Sequence, residues 1–462
     1  METKLNYKRT FLIGLAFLSI CSFWQMYDNI IPLILQNTYH LGETMTGAVM
    51  ALDNVLAIFL LPVFGMLSDK VHTKLGRRMP FIVAGTILAV ISMMLLPMID
   101  NAEKARWSTG ESFSNQVIFL AVLFFTLVSM GLYRSPAVAL MPDVTPNHLR
   151  SRANAVINLM GAVGGVYALI MIKVLVGKGE TPDYLPLFAS IAAVMAIAVG
   201  ILVITIRENK LREEVEKAEA ANTEKVEEKA IAEGVEAAGE IEAVADTEQS
   251  GATGKTKGMP KEVKRSMYFM LASIFLWFTA YNAVTTAFSR YTKVVWKMEG
   301  GSFANCLMVA TVAAILSYIP IGSISAKIGR KKTIMGGVLL MAACYGGAIF
   351  AREYHPIVNV AFALIGVAWA AINVNSYPMI VAMSSGSDVG KFTGTYYTFS
   401  MAAQILTPVL SGFLLENVSY NTLFPYALFF SLMAFLTMTQ VRHGDVKPQK
   451  KESILENFDV DD

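Results

Sequence analysis

Three ionisable residues interrupt otherwise apolar stretches of this 462-residue chain: Asp28 in "WQMYDNIIP", Asp53 in "ALDNVLAIF" and Arg134 in "GLYRSPAVA". Charge on a helix immersed in lipid costs roughly 2.5–3.5 kcal/mol on insertion scales, so each of these residues asks for a role. A buried carboxylate can take up and release a proton when a nearby cation or ligand changes its surroundings. Asp28 and Asp53 suit that exchange. Arg134 suits either the release of such a proton or the recognition of an anionic or hydroxyl-rich solute through its fork of donors. Each acid equally suits a hydrogen-bonded clamp between helices. Residue type leaves open which acid would carry the proton.

Aromatic and amide side chains gather in the same stretches. Near Asp28 stand Trp24, Gln25 and Tyr27, and Tyr133 precedes Arg134; Asn154 and Asn158 follow one helical turn apart. Further on come Trp277, Tyr281 and Asn282, then Trp369, Asn373 and Asn375, then Tyr396, Tyr397 and Gln404. Flat rings stack on the C–H face of a sugar ring, and amides bond its hydroxyls. Trp277 with Tyr281, and Trp369 with Asn373, are four residues apart and share a helix face. For single aromatics, packing or anchoring at the membrane interface is the competing role; for the asparagines it is an interhelical hydrogen bond.

The elements that position these groups follow from composition. The chain is 54% hydrophobic and only 16% charged, against about a quarter charged for soluble domains. Lipid must be the solvent for much of it. A formal net charge of +2 gives nucleic acid no footing. A bilayer core needs about 20 apolar residues per helix. Twelve stretches qualify: 11–36, 45–68, 80–99, 116–140, 153–176, 184–206, 265–289, 302–325, 333–351, 356–382, 391–414 and 421–440. Lys4, Lys8 and Arg9 precede the first stretch, which runs too far for a cleaved leader; "SICSFWQMYD" offers no small-residue cleavage site. Asp28 and Asp53 then lie at similar depths, about 12 Å from the outer face.

Loops on the N-terminal side hold more of the Lys and Arg, which predicts cytoplasmic termini; Arg290 and Lys293 are among the basic residues assigned to outer loops. Cys21, Cys306 and Cys344 are scattered, as are the five histidines, and the 26 methionines read as packing. No metal centre or cofactor is expected, and without a nucleophile elbow or zinc motif an enzyme is not expected either.

Between the second and third stretches stands "GMLSDKVHTKLGRRMP", and between the eighth and ninth "GSISAKIGRKK". Gly65 corresponds to Gly322, Asp69 to Ala326, Lys70 to Lys327, and Gly76-Arg77-Arg78 to Gly329-Arg330-Lys331. Basic loops alone would not require matched glycines, so an internal repeat is predicted. Residues 1–206 and 263–441 form the two six-helix halves; 207–262, rich in Glu, Ala and Lys, is a solvated cytoplasmic tether, helical at first through its Glu–Lys neighbours and then flexible, and 442–462 a tail. Asp69 is expected to pair with Arg77 or Arg78 in a conformational latch, with Asp143, Arg150 and Arg152 at the neighbouring helix ends.

Helix number, the six-and-six division and the repeated hairpin resemble the major facilitator superfamily. More narrowly, "GMLSDKVHTKLGRRMPFIVAG" resembles the hairpin of the glycoside–pentoside–hexuronide:cation symporters and the sucrose–proton symporters. "GLYRSPAVALMPDVTP", "RSRANAVINLMGAVGG" and "GVAWAAINVNSYPM" resemble the latter group. The resemblance implies an all-α polytopic fold and alternating access. It implies a monomeric, multi-pass plasma-membrane protein importing a sugar. Sodium-using melibiose permeases carry two aspartates on the second helix, where Ala57 and Leu61 stand here. That departure favours a proton as coupling ion, sodium being the alternative. The competing functions are transport or export of another small organic solute and a transport-dead sensor or scaffold.

Overall fold

The computed structural model describes residues 5–107, 115–179, 181–217, 219–220, 260–384 and 389–446. Twelve long helices follow one another: α1 (Tyr7–Asn37), α2 (Glu43–Lys70), α3 (Met79–Trp107), α4 (Gln116–Asp143), α5 (Arg150–Leu175), α6 (Leu185–Thr205), α7 (Lys261–Val294), α8 (Ala304–Ile328), α9 (Arg330–Ala348), α10 (Val358–Met383), α11 (Val389–Asn417) and α12 (Leu423–Thr439). Eleven are long and apolar enough to cross a membrane. The remaining one, α9, opens on Arg330, Lys331 and Lys332, which dilute its apolar character, yet it packs against α10 and α12. Large apolar side chains point outward around the bundle, Phe59 (64% exposed), Val117 (77%) and Leu316 (70%) among them. Helices satisfy their own backbone polar groups, so this surface is compatible with hydrocarbon. The chain is a multi-pass membrane protein.

Packing repeats with a shift of six. Helix α1 packs on α5 and α6, α4 on α2 and α3, and α3 on α6; correspondingly, α7 packs on α11 and α12, α10 on α8 and α9, and α9 on α12. Contacts between the two sets run through α2 with α11, α5 with α8, and α1 with α7. The side chains of Ser22 on α1 and Ser135 on α4 donate to the carbonyls of Gly164 (2.9 Å) and Leu61 (2.7 Å) on neighbouring helices. Such bonds tie helices together where lipid offers no alternative partner.

The tether begins as a helix, residues 208–217, with Glu208 and Val215 buried and Asn209, Lys210, Glu213, Glu214, Glu216 and Lys217 exposed. Glu208 is fully buried, and Asn209 Nδ2 donates to the Thr73 carbonyl at 2.9 Å. The pairs Arg212–Glu216 (2.9 Å) and Lys217–Glu213 (2.7 Å) bridge successive turns, as the Glu–Lys spacing suggested. Tether residues 221–259 and tail residues 447–462 lie outside the described residues.

Candidate functional site

Three groups of polar residues stand out: one midway along the helices, one at the hairpin end, and one at the far end.

Midway, the Arg134 guanidinium lies 5.8 Å from the Trp24 ring centroid, a cation–π distance. Asp53 is close enough to Arg134 to interact electrostatically, and Asp28 is within such reach of Asp53. Asn54 Nδ2 donates to Asp53 Oδ1 at 2.8 Å. The three ionisable residues are half-buried. Sequence reasoning singled them out separately, and the fold brings them together. Trp24 meets Tyr27 edge-on at 5.4 Å. Trp24 Nε1 and the Tyr27 hydroxyl are buried without a protein partner. A dry, unmet polar group costs about 1–3 kcal/mol, so these atoms are suited to a polar ligand. Gln25 and Asn158 are half-buried on α1 and α5.

In the other half, Tyr281 and Trp369 lie face to face, 3.7 Å between centroids and 6° between planes. Trp369 thus stacks across helices. Asn282 Nδ2 and Trp277 Nε1 are buried without a protein partner. Asn375 donates to the Ala371 carbonyl at 2.9 Å, while its Oδ1 is unpartnered. Tyr281, Asn282, Trp369 and Gln404 are half-buried, whereas Trp277, Asn373 and Asn375 are closed in. Tyr133, read from sequence as a ligand contact, sits elsewhere. It is fully buried, and its hydroxyl is held by Ser19 Oγ at 2.5 Å and the Ala16 carbonyl at 3.0 Å. It clamps α4 to α1.

The hairpin carries an ion network centred on Asp143 and Glu208. Arg78, 5% exposed, donates from Nε to Asp143 Oδ2 at 2.8 Å and from its terminal nitrogens to Ser68 Oγ and Asp69 Oδ1, each at 2.5 Å. It also reaches the Gly65 carbonyl at 3.2 Å. Arg77 grips both Asp143 oxygens at 2.6 and 3.1 Å, and stands 3.7 Å from Asp69. The expected pairing of Asp69 with these arginines is present, and Asp143 joins it as a more buried partner of both. Burial works against the Arg77 charge, but the Asp143 hydrogen bonds and the charges of Asp143, Asp69 and Glu208 outweigh it and raise its pKa. The hairpin cation therefore stays charged throughout the physiological range.

Glu208 is the second acid. Its carboxylate accepts from the backbone N–H groups of Arg77 (2.9 Å), Arg78 (3.0 Å) and Met79 (3.0 Å), satisfying the start of α3. Gly76, at φ +124°, makes the turn that presents them. The second hairpin does likewise: Gly329 has φ +95°, and the Lys331 N–H donates to Asp445 Oδ1 at 3.1 Å. Each half thus ends in a carboxylate that returns to the start of its third helix. Sequence reasoning missed both; the signal was an acid shortly beyond the sixth and twelfth helices. Arg150 closes the α4–α5 turn on the carbonyls of Pro142 (3.0 Å) and Thr145 (3.3 Å), with Arg152 in the same first turn of α5. Lys70 ends α2, and the Gly322 carbonyl accepts from Ser325 at 3.0 Å.

At the far end the halves meet. Arg290 lies inside α7 and is 2% exposed, not in an outer loop as the basic-residue pattern suggested. Its Nε is 2.7 Å from Oε2 of Glu43 on α2, itself 4% exposed. The Tyr420 hydroxyl donates to the other Glu43 oxygen. Glu416 accepts from the Thr44 N–H at 2.8 Å and its hydroxyl at 2.5 Å, capping α2 from across the interface. Backbones nearly touch here. A Cβ on Gly47 would fall 2.1 Å from the Pro408 carbonyl oxygen, and one on Gly301 would fall 2.0 Å from that of Ile172.

The profile described as "Major Facilitator Superfamily" matches residues 12–310 and 297–457. The chain belongs to that superfamily. Among its relatives, sucrose transport protein SUT3 of Oryza sativa subsp. japonica is 26% identical over 28% of this chain and 27% of its own length. Chloramphenicol resistance protein CraA of Acinetobacter baumannii is 30% identical over 30% of this chain and 32% of its own. The matched segments thus span about a third of those relatives or less. The nucleoside transporter NupG shares the fold at a TM-score of 0.64 with 14% identity, covering 94% of this chain and all of NupG.

Proposed function

We propose that the chain is a proton-coupled symporter of a neutral, sucrose-like sugar. In this reading two six-helix bundles, residues 1–206 and 263–441, rock about a site at mid-depth. The observation that carries it is Asp53 within electrostatic reach of Arg134 beside Trp24 in one half, with the stacked Tyr281 and Trp369 rings in the other. An acid and a cation in mutual reach allow exchange. Protonation of Asp53 releases Arg134 to bond sugar hydroxyls, and loss of the sugar returns Arg134 to the carboxylate. Asp28 stands beside Asp53 as the alternative carrier. Trp24, Gln25, Tyr27 and Asn158 from one half, with Trp277, Tyr281, Asn282, Trp369, Asn373, Asn375 and Gln404 from the other, supply rings and amides for the sugar. Ala57 and Leu61 place no carboxylate where melibiose permeases bind sodium, which supports a proton, sodium being the alternative ion.

The far end is sealed by Glu43, Arg290 and the glycine contacts, and we take this as the conformation open toward the hairpins. With cytoplasmic termini that side is the cell interior, and the protein works as a monomer in the plasma membrane. Similarity to a chloramphenicol resistance protein favours, as a second reading, export of another small organic solute.

The test is transport by the full chain in proteoliposomes with an inward proton gradient and a panel of radiolabelled sugars. Accumulation that collapses on adding a protonophore supports symport. Accumulation driven by sodium alone, or expulsion of an unrelated solute against no sugar uptake, overturns it.

A further inference from the structure

The outward face of α7 near its start carries a feature that transport does not use. Lys261, Lys264, Arg265, Tyr268, Phe269 and Ala272 line a shallow groove of about 460 Å³. Their spacing places them on one face over three turns. The three cations are exposed, and none enters an ion pair among the described residues. Two of their charged heads stand over aromatic rings: Lys264 Nζ is 5.9 Å from the Tyr268 centroid and Arg265 Cζ 5.7 Å from that of Phe269. Tyr268 is itself 59% exposed. Arg442 adds a fourth cation nearby, its N–H bonded to Ser266 Oγ at 3.1 Å. Glu262 is the acid on this turn and does not line the groove.

The order along the groove decides its occupant. Cations come first, then interfacial aromatics, then an apolar floor at Ala272, within about 16 Å at 1.5 Å per residue. A phospholipid presents the same order: phosphate, glycerol, acyl chain. Aromatic and basic residues favour that boundary, and each basic residue near it attracts anionic headgroups. We infer that this groove binds an anionic phospholipid, its phosphate held by Lys261, Lys264 and Arg265 and the start of one acyl chain laid along Phe269 and Ala272. The binding elements are side chains on the lipid-facing flank, and a soluble phosphate would leave the aromatic and apolar part uncovered.

Full-length protein in mild detergent, titrated with phosphatidylglycerol or phosphatidylcholine of identical chains and read by native mass spectrometry, tests this. Phosphatidylglycerol should be retained at least tenfold more tightly, and 0.5 M salt should erase most of the preference. The variant Lys261→Gln, Lys264→Gln, Arg265→Gln should bring the two lipids within about twofold, with phosphatidylcholine binding unchanged. These side chains are exposed, so the variant should fold; the salt series on the parent stands independently of it. Inorganic phosphate at millimolar concentration should not displace the lipid. Displacement by inorganic phosphate, a salt-independent preference, or a variant that keeps the preference would each overturn the assignment.

Discussion

Arg290 and Glu43, on helices from opposite halves, form an ion pair that is almost wholly excluded from solvent: Nε to Oε2 is 2.7 Å, with exposures of 2% and 4%. The Arg290 fork also reaches the Thr286 carbonyl at 2.9 Å, and Tyr420 completes the Glu43 carboxylate. Removing one partner of a buried pair leaves an uncompensated charge and costs about 3–5 kcal/mol.

Glu43→Gln should therefore weaken the far-end closure in particular. With the native cysteines replaced, a cysteine at Thr46, buried beside the seam, reports opening through its alkylation rate. Since 1.4 kcal/mol is tenfold in an equilibrium, labelling should rise by about tenfold or more. An unchanged rate would show that the pair does not hold the far end shut.

The acids near mid-depth should separate by assay. Asp53→Asn should abolish uphill accumulation yet leave counterflow exchange partly intact, because exchange needs no net proton release. Asp28→Asn tests the alternative carrier in the same way. If both variants accumulate substrate like the parent, the two acids are structural clamps.

At the hairpin, Asp143→Asn should impair turnover more than Asp69→Asn. Asp143 holds two arginines and is 14% exposed, whereas Asp69 is 50% exposed. Exposed pairs contribute about 0–1 kcal/mol, so Asp69 has less to lose. Turnover and substrate affinity measured separately decide it: equal turnover in both variants would contradict the ranking.

Glu208→Ala should lower thermal stability by about 1–2 kcal/mol, the usual range for a lost helix cap, and Asp445→Ala by less. Glu208 accepts from three successive backbone N–H groups, while Asp445 accepts from the Lys331 N–H. Unfolding of purified protein followed by intrinsic fluorescence gives the comparison. A Glu208 variant as stable as the parent would mean that water replaces the carboxylate.

The helices and the hairpin were legible because apolar periodicity and glycine spacing are local properties. All twelve stretches became helices, with ends shifted by up to eight residues, as at Trp107; at the start of the first span the polar cap Asn6 extends it beyond its apolar core. The mid-depth trio was legible by type, since charge in an apolar run is conspicuous. Glu43 and Arg290 were not: they are separated by 247 positions and lie at helix ends, where charge is ordinary. Glu208 looked like the first of many glutamates in a charged tether. Tyr133 misled because an aromatic beside an arginine has the same spelling whether it meets a ligand or a serine on the next helix.

The seam at Gly47 and Gly301 also bears on switching entropy. Immobilising a long side chain costs up to about 2 kcal/mol in lost rotamers, and a glycine laid against a carbonyl costs none. Closing the far end therefore freezes few degrees of freedom beyond those of Arg290, Glu43, Glu416 and Tyr420. In the proposed cycle the ordering cost of closing the far end is thus confined to these four side chains.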